Sequence, residues 1–339
     1  MLPESIASLP KAELHLHLEG SMQPPTVCEL TARHGITVTE QEVRRRYAYR
    51  NFGDFLETFK WVTSFLRDPQ DFALIARHLA EYLLSQRVVY AEVTISVGVM
   101  LLRQQRVEDN FASILAAVEP FVRRGLRINW IFDAVRQFGA EAASRVVDAA
   151  RQCASPSIIA FGIGGDELSV PTKDLRRVYD QAATAGLHRL IHAGEVGGPE
   201  KIREAVELLG AERIGHGIAA IHDRDLMDLL ADRRIPLEIC PHSNICTGAL
   251  ALQLGRLRAG MEHHPLPSLF RNGIPIVLST DDPAMFHTTL LQEYQHASDL
   301  GMTGNELRQL AQMSFDFAFE RQHSQVQADL RVDRQHGTS

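Results

Sequence analysis

Residues 12–20 read AELHLHLEG, and the strict alternation within them decides how the chain is read. Successive side chains of an extended strand point to opposite faces. His15, His17 and Glu19 therefore share one face, and Leu14, Leu16 and Leu18 the other. Leucines on one side suit a strand anchored against helices. Two imidazoles and a carboxylate on the other side need a reason to converge.

Seven more β-rich runs follow: VVYAEVTIS from Val88, RINWIFDAV from Arg127, IIAFGIGG from Ile158, HRLIHAGE from His188, ERIGHG from Glu212, IPLEICPHS from Ile235 and IPIVLSTDD from Ile274. Between them lie stretches such as DFALIARHLAEYLLSQR and AEAASRVVDAARQC, apolar at three- and four-residue spacing. Eight strand–helix units in 339 residues predict an α/β fold, a (β/α)8 TIM barrel with its helices outside. The expected organisation is a single barrel domain over 1–322, with a polar, disordered tail over 323–339. The connection after the first strand is longer than a crossover needs, which predicts a helical insertion around 40–70. Its block NFGDFLETFKWVTSFL gathers Phe52, Phe55, Phe59, Trp61 and Phe65, either as core packing or as a hydrophobic lid over a pocket.

Composition narrows the partners. The chain is 45% hydrophobic and 23% charged, with a formal net charge of -7 and a pI near 6.1. That balance supplies no basic field for a phosphate backbone, so nucleic acid is not expected as a partner. No apolar run is long enough to span a bilayer, and MLPESIASLPKAELH lacks the basic and apolar regions of a signal peptide. Cys28, Cys153, Cys240 and Cys246 form no C-x-x-C pair. The expected setting is a reducing cytoplasm, without membrane association and with a homo-oligomer left open.

The strands start apolar and finish in ionisable side chains, at the face where barrel enzymes carry their active sites. His15 and His17 end the first strand, His192 and Glu195 the fifth, His216 the sixth, and Asp281 with Asp282 the eighth. Each alone reads as easily as a hydrogen-bonded strand-end residue, a helix-start glutamate or a helix cap. Together, three histidines and a carboxylate form an N3O set that suits one zinc ion with room for a water, whose pKa zinc lowers to roughly 7. Glu195 then becomes a candidate proton donor if a dry pocket raises its pKa, and His216 a group that orients or deprotonates that water. Two adjacent aspartates repel each other, so one on a metal and one on a ligand's polar edge divides the work.

The blocks SLPKAELHLHLEGS, GGDE, HAGEVG, RIGHGI, EICPHSNICTGA and LSTDDPAMFHTTL occur in an order that resembles the adenosine deaminase family of the amidohydrolase superfamily. The resemblance runs from Ser8 to about Leu290. It implies a metal-dependent barrel hydrolase with zinc on His15, His17, His192 and Asp281. It also implies that Glu195 protonates purine N1, His216 helps to activate the water, Asp282 contacts N7 and the backbone of Gly165 contacts N3. The implied reaction replaces the 6-amino group of a purine by oxygen and releases ammonia. The H-x-E and P-C-x-x-C signature of the other zinc deaminases is absent.

Departures from that pattern bear on the substrate. Glu19 stands where classical adenosine deaminases usually carry aspartate, near the ribose 5′-hydroxyl, and adenine deaminases also tend to carry glutamate there. CPHSNICTGA and DDPAMFHTTL resemble the nucleoside-acting branch more closely, with Phe55 and Phe59 expected against the substrate. Thr94 and Gly162 are smaller than the arginine and aspartate of many adenosine deaminases and leave room for a bulky 5′ group. Adenosine or a 5′-modified adenosine is therefore the expected substrate, and adenine the alternative. One 5′-modified candidate is aminodeoxyfutalosine, which relatives deaminate in menaquinone biosynthesis. Arg103, Arg136 and Lys60 are candidates to pair with its carboxylate. A catalytically silent purine-binding protein would be expected to have lost a member of the set, and none is missing.

Overall fold

The computed structural model describes residues 2–319. Eight strands form one parallel sheet in sequence order: β1 (Lys11–His17), β2 (Val88–Ile95), β3 (Arg127–Val135), β4 (Ile158–Gly164), β5 (His188–Ala193), β6 (Arg213–His216), β7 (Leu237–Ile239) and β8 (Ile276–Leu278). All eight sequence runs become strands, and the expected barrel is the fold. Parallel strands are covered on both faces, which is why β3, β4, β7 and β8 read as nearly continuous apolar runs. The predicted tail, 323–339, lies outside the described residues.

The ring closes through one residue beyond β8. The Asp281 N–H donates to the His15 carbonyl at 3.0 Å, and the His17 N–H donates to the Asp281 carbonyl at 2.9 Å. Outside the strands, Ala12, Leu14 and Val277 pack against Phe315 of the helix Gly304–Asp316. That helix starts at a capping box of Thr303 and Glu306, which satisfies two of its otherwise unpaired N–H groups. The leucine face of β1 thus meets helix, as its alternation predicts.

Alternation fails at Glu19. The strand ends at His17, Leu18 turns into helical backbone, and Glu19–Ser21 form a single 3-10 turn. Glu19 therefore does not continue the histidine face. Its buried carboxylate folds back to accept the Ser96 N–H at the end of β2, 3.0 Å away. The sequence pattern persisted two residues past the point where the backbone stopped being extended.

The other end of the barrel is filled by charge and by the chain's own C-terminal segment. Arg213, 1% exposed at the start of β6, lies 2.6 Å from Glu92 of β2 and 2.6 Å from Glu238 of β7. It also donates to the Phe317 carbonyl at 3.0 Å, while the Phe319 N–H donates to Glu92 at 2.7 Å. The Phe319 ring lies 3.7 Å from the guanidinium carbon and stacks on His188 at 4.2 Å, against Ile131, Ala160 and Leu190. A buried guanidinium is tolerable only because two carboxylates, a carbonyl and a π face surround it.

This plug makes a stability prediction. Phe319→Ala removes ring packing and the cation–π contact, and is expected to lower unfolding free energy by about 2–3 kcal/mol. A urea titration reads the shift in midpoint. An unchanged midpoint would show that the segment seals nothing.

Candidate active site

The strand ends bring His15, His17, His192 and Asp281 together, with one ligating atom from each within 4.8 Å of all the others. Three of the four are held from behind. His15 Nδ1 lies 2.7 Å from Glu238 Oε2, His192 Nδ1 lies 3.2 Å from the Ile163 carbonyl, and Asp281 Oδ2 accepts from Ser243 Oγ at 2.6 Å. Glu238 in turn is the carboxylate that pairs with Arg213, so the plug, the barrel interior and the strand-end cluster form one connected network.

Electrostatics favour a cation here. Burial lowers His15, but Asp281 and Glu238 outweigh it and carry the imidazole up to about 9. Burial and three neighbouring imidazoles hold His192 well below the ordinary histidine range, in the neutral form that a metal ligand requires. Burial and the adjacent Asp281 charge push Asp282 up to about 7. His15 Nε2 and His17 Nδ1 are buried with no hydrogen-bond partner among the described residues. Orphaned nitrogens facing the Asp281 carboxylate, with the His15 ring anchored by Glu238 on its other side, fit a borderline divalent ion such as zinc.

Local backbone explains why neighbouring positions are small. A Cβ at Gly20 would stand 1.7 Å from Asp282 Oδ1, and one at Gly215 would stand 2.9 Å from His15 Cε1. Both glycines make room for a side chain of the cluster. His216 and Asp281 themselves have φ of 61° and 69°, left-handed conformations that cost non-glycine residues on the order of 1–3 kcal/mol each. Strain of this kind persists where surrounding structure fixes it, and here it lies at two strand ends.

Glu195 is presented by a loop that another carboxylate organises. Glu167 is 3% exposed and accepts from four consecutive backbone N–H groups, those of Gly194, Glu195, Val196 and Gly197, at 2.6, 3.2, 2.9 and 2.8 Å. The Gln253 amide donates to the carbonyls of Glu195 and Gly197 from the other side. Burial first, then the charges of Asp281 and Glu167, raise the Glu195 carboxyl well above the usual carboxylate range. His216 Nε2 lies 3.6 Å from Glu195 Oε2 and 3.8 Å from Asp281 Oδ2. Burial pulls that imidazole down to about 3, so it is neutral.

A cavity opens over these groups. His17, His192, Glu195, His216, Asp281, Asp282 and Gly165 line its polar end, and Phe52, Phe55, Leu56, Phe59, Val99 and Phe138 its apolar wall. The two readings of the aromatic block both hold in part. Phe55 is 8% exposed and packs on Phe286 at 5.0 Å, yet it also faces the cavity with Phe59, whereas Trp61 and Phe65 pack on each other away from it.

Glu19, Arg103 and Arg136 are not in the wall, and neither are Thr94 and Gly162: the expected room at Gly162 is taken by Asp133, whose Oδ1 would stand 2.9 Å from a Cβ there. Glu19 stands behind Ser96, which does line the cavity. Arg103 is spent on the carbonyl and hydroxyl of Thr63, and Arg136 on the Val170 carbonyl and the Thr172 hydroxyl. Lys60 alone of the three cations lines the cavity; its side chain is 63% exposed and its ammonium lies 2.6 Å from Glu57. Sequence reading missed Glu167, Glu238, Ser243, Asn244 and Asp133. Asp133 lines the cavity, with burial raising its carboxyl to about 7. Glu92, Arg213 and Glu238 carried a usable signal, since a charge inside a strand buried on both faces must have a partner.

A closed parallel barrel with three histidines and an aspartate at its C-terminal mouth defines a metal-dependent hydrolase of the amidohydrolase type. The adenosine deaminase family matches residues 10–333, and the chain belongs to that family. It is 34% identical over 325 residues to an aminodeoxyfutalosine deaminase of Streptomyces coelicolor, covering 93% of this chain and 81% of that one. It is 31% identical over 318 residues to an adenine deaminase of Rhizobium meliloti, covering 92% and 95%. The solved adenine deaminase of Arthrobacter aurescens superposes with a TM-score of 0.89 at 28% identity, covering 97% of this chain and all of that one.

Proposed function

We propose that this chain hydrolytically deaminates a 6-aminopurine nucleoside extended at its 5′ position by a carboxylate-bearing group, of which aminodeoxyfutalosine is the representative. The observation that carries the reading is the lining of one cavity. Its polar end gathers a buried carboxylic acid, two aspartates and the histidine cluster, and its wall continues as an apolar surface with Lys60 in the lining. The polar end offers proton donors to a purine base, and the apolar wall with Lys60 offers a place for an aromatic acid.

His15, His17, His192 and Asp281 would hold one zinc ion, which when bound supplies Lewis-acid activation of the water that attacks C6. The remaining work belongs to side chains. Glu195, kept protonated by burial and two nearby charges, gives its proton to N1 and makes C6 electrophilic. Asp282, raised to about 7, donates to N7, and the Gly165 N–H faces N3. His216 contacts the attacking oxygen; of the two protons the water loses, one ends on the amino group, which leaves C6 as ammonia, and the other restores Glu195, while N1 keeps the proton it received. Phe55 and Phe59 cover the sugar side and exclude water. Free adenine is the second reading, favoured by Glu19 and by the likeness to adenine deaminases.

Ammonia release across adenine, adenosine, methylthioadenosine and aminodeoxyfutalosine tests the proposal. Aminodeoxyfutalosine is expected to lead in kcat/KM by about a hundredfold, roughly 2.7 kcal/mol of differential binding. Lys60→Ala should raise its KM severalfold and leave that of adenosine unchanged. Preference for adenine would overturn the nucleoside reading.

Glu167 gives a pH prediction. Its negative charge helps Glu195 to keep a proton, so Glu167→Gln lowers the Glu195 pKa, and the proton is lost at lower pH. A group that must be protonated supports activity only below its pKa. The alkaline limb of kcat/KM is therefore expected to move to lower pH. A limb that stays in place would separate Glu167 from the acid.

A further inference from the structure

Either nitrogen of the His216 ring can carry a proton, and the hydrogen bonds around the ring decide which one does. The answer follows from a chain of three buried side chains. The Leu266 N–H, at the start of the helix Leu266–Arg271, donates to His264 Nδ1 at 3.1 Å. A backbone N–H can only donate, so that nitrogen is an acceptor and His264 carries its proton on Nε2. His264 Nε2 lies 3.2 Å from Asn244 Oδ1 and so donates to it. The other end of the same amide, Asn244 Nδ2, lies 3.1 Å from His216 Nδ1.

An amide nitrogen donates, so His216 Nδ1 must accept. The neutral ring then carries its proton on Nε2, the nitrogen that faces Glu195 Oε2 and Asp281 Oδ2. The alternatives are closed by the same bonds. Turning the Asn244 amide would set its NH2 against His264 Nε2, whose ring already accepts at Nδ1. Both nitrogens would then have to be acceptors, an imidazolate anion that no buried site without a cation sustains. Turning the His264 ring would put carbon against both partners and leave a buried N–H and a buried amide unpaired, at about 1–3 kcal/mol each. His264, Asn244 and His216 are 4%, 0% and 1% exposed, so water cannot relax the chain. Burial also holds His264 down to about 3, which keeps it from donating at both nitrogens.

We infer that His264 and Asn244 are a positioning pair that locks His216 as its Nε2–H tautomer, so that His216 meets the attacking oxygen as a hydrogen-bond donor. The lone pair a base would need is on Nδ1, turned away from the cavity and engaged by Asn244. The mechanistic part of this inference rests on the deaminase reading; the tautomer does not. The same motif that contributes Ser243 to Asp281 thus contributes Asn244 to His216, two neighbouring residues of the helix Pro241–Cys246 serving two members of the site.

The test is nitrogen-15 NMR of histidine-labelled, zinc-loaded, full-length protein, with His216 assigned by its loss in His216→Gln. The expected spectrum shows proton-bearing Nε2 and bare Nδ1. Asn244→Asp replaces a donor by an acceptor and should invert the tautomer, lowering kcat by at least about a hundredfold with KM little changed. His264→Leu, which frees the amide, should mix the tautomers, and His264→Gln, which restores a donor, should recover part of the lost rate. A proton on Nδ1 in the unmodified protein, or an Asn244→Asp protein with unaltered tautomer, overturns the inference. The spectrum is taken on resting protein, so it decides the matter even if no purine in the panel is turned over.

Discussion

The backbone of Asp281 closes the barrel, and its side chain enters the cluster at the mouth. Its N–H and C=O bridge to β1 at His15 and His17, the very residues whose imidazoles its carboxylate faces. Ring closure and site geometry are therefore one constraint. The left-handed backbone at Asp281 is strained, and two backbone bonds, the Ser243 hydroxyl and two imidazoles over-determine it. A site on strand ends held in this way tolerates little displacement, which is what positioning of reacting groups demands.

Behind the cluster, charge balance is carried through the full depth of the barrel. His15 leans on Glu238, Glu238 on Arg213, and Arg213 on Glu92, Phe317 and Phe319. Such a network is costly to desolvate and damaging to break, so its members stand or fall together. The loop bearing Glu195 follows the same logic with backbone donors, since four N–H groups converge on Glu167. Carboxylates behind the site thus do two jobs. They fix geometry, and they set which groups keep protons.

The parts legible in the sequence are those written in local pattern. Apolar runs separated by helical periods named all eight strands, and ionisable residues at the ends of those runs named the cluster and Glu195. Periodicity misplaced Glu19, because alternating letters continue where the backbone has already turned. It could not assign Arg103 or Arg136, whose partners lie on loops and hydroxyls that no spacing announces. Contacts spanning the barrel were equally silent. Glu167 reaches the 194–197 loop and His264 reaches Asn244 across turns whose course only the folded chain fixes. Family resemblance supplied both the chemistry of the purine and the expectation of a sugar beyond it, and Thr94 and Gly162, on which the expected room for a 5′ group rested, are not in the cavity wall.

Everything proposed for the reaction depends on His15, His17, His192 and Asp281 acting as one ligand set. Metal analysis of protein purified without chelator tests that most directly, beside a His15→Ala, His192→Ala double variant checked for intact fold by circular dichroism. One divalent transition-metal ion per chain is expected in the parent protein, and its loss in the variant. A parent protein free of such ions, or a folded variant that keeps the full equivalent, would contradict it.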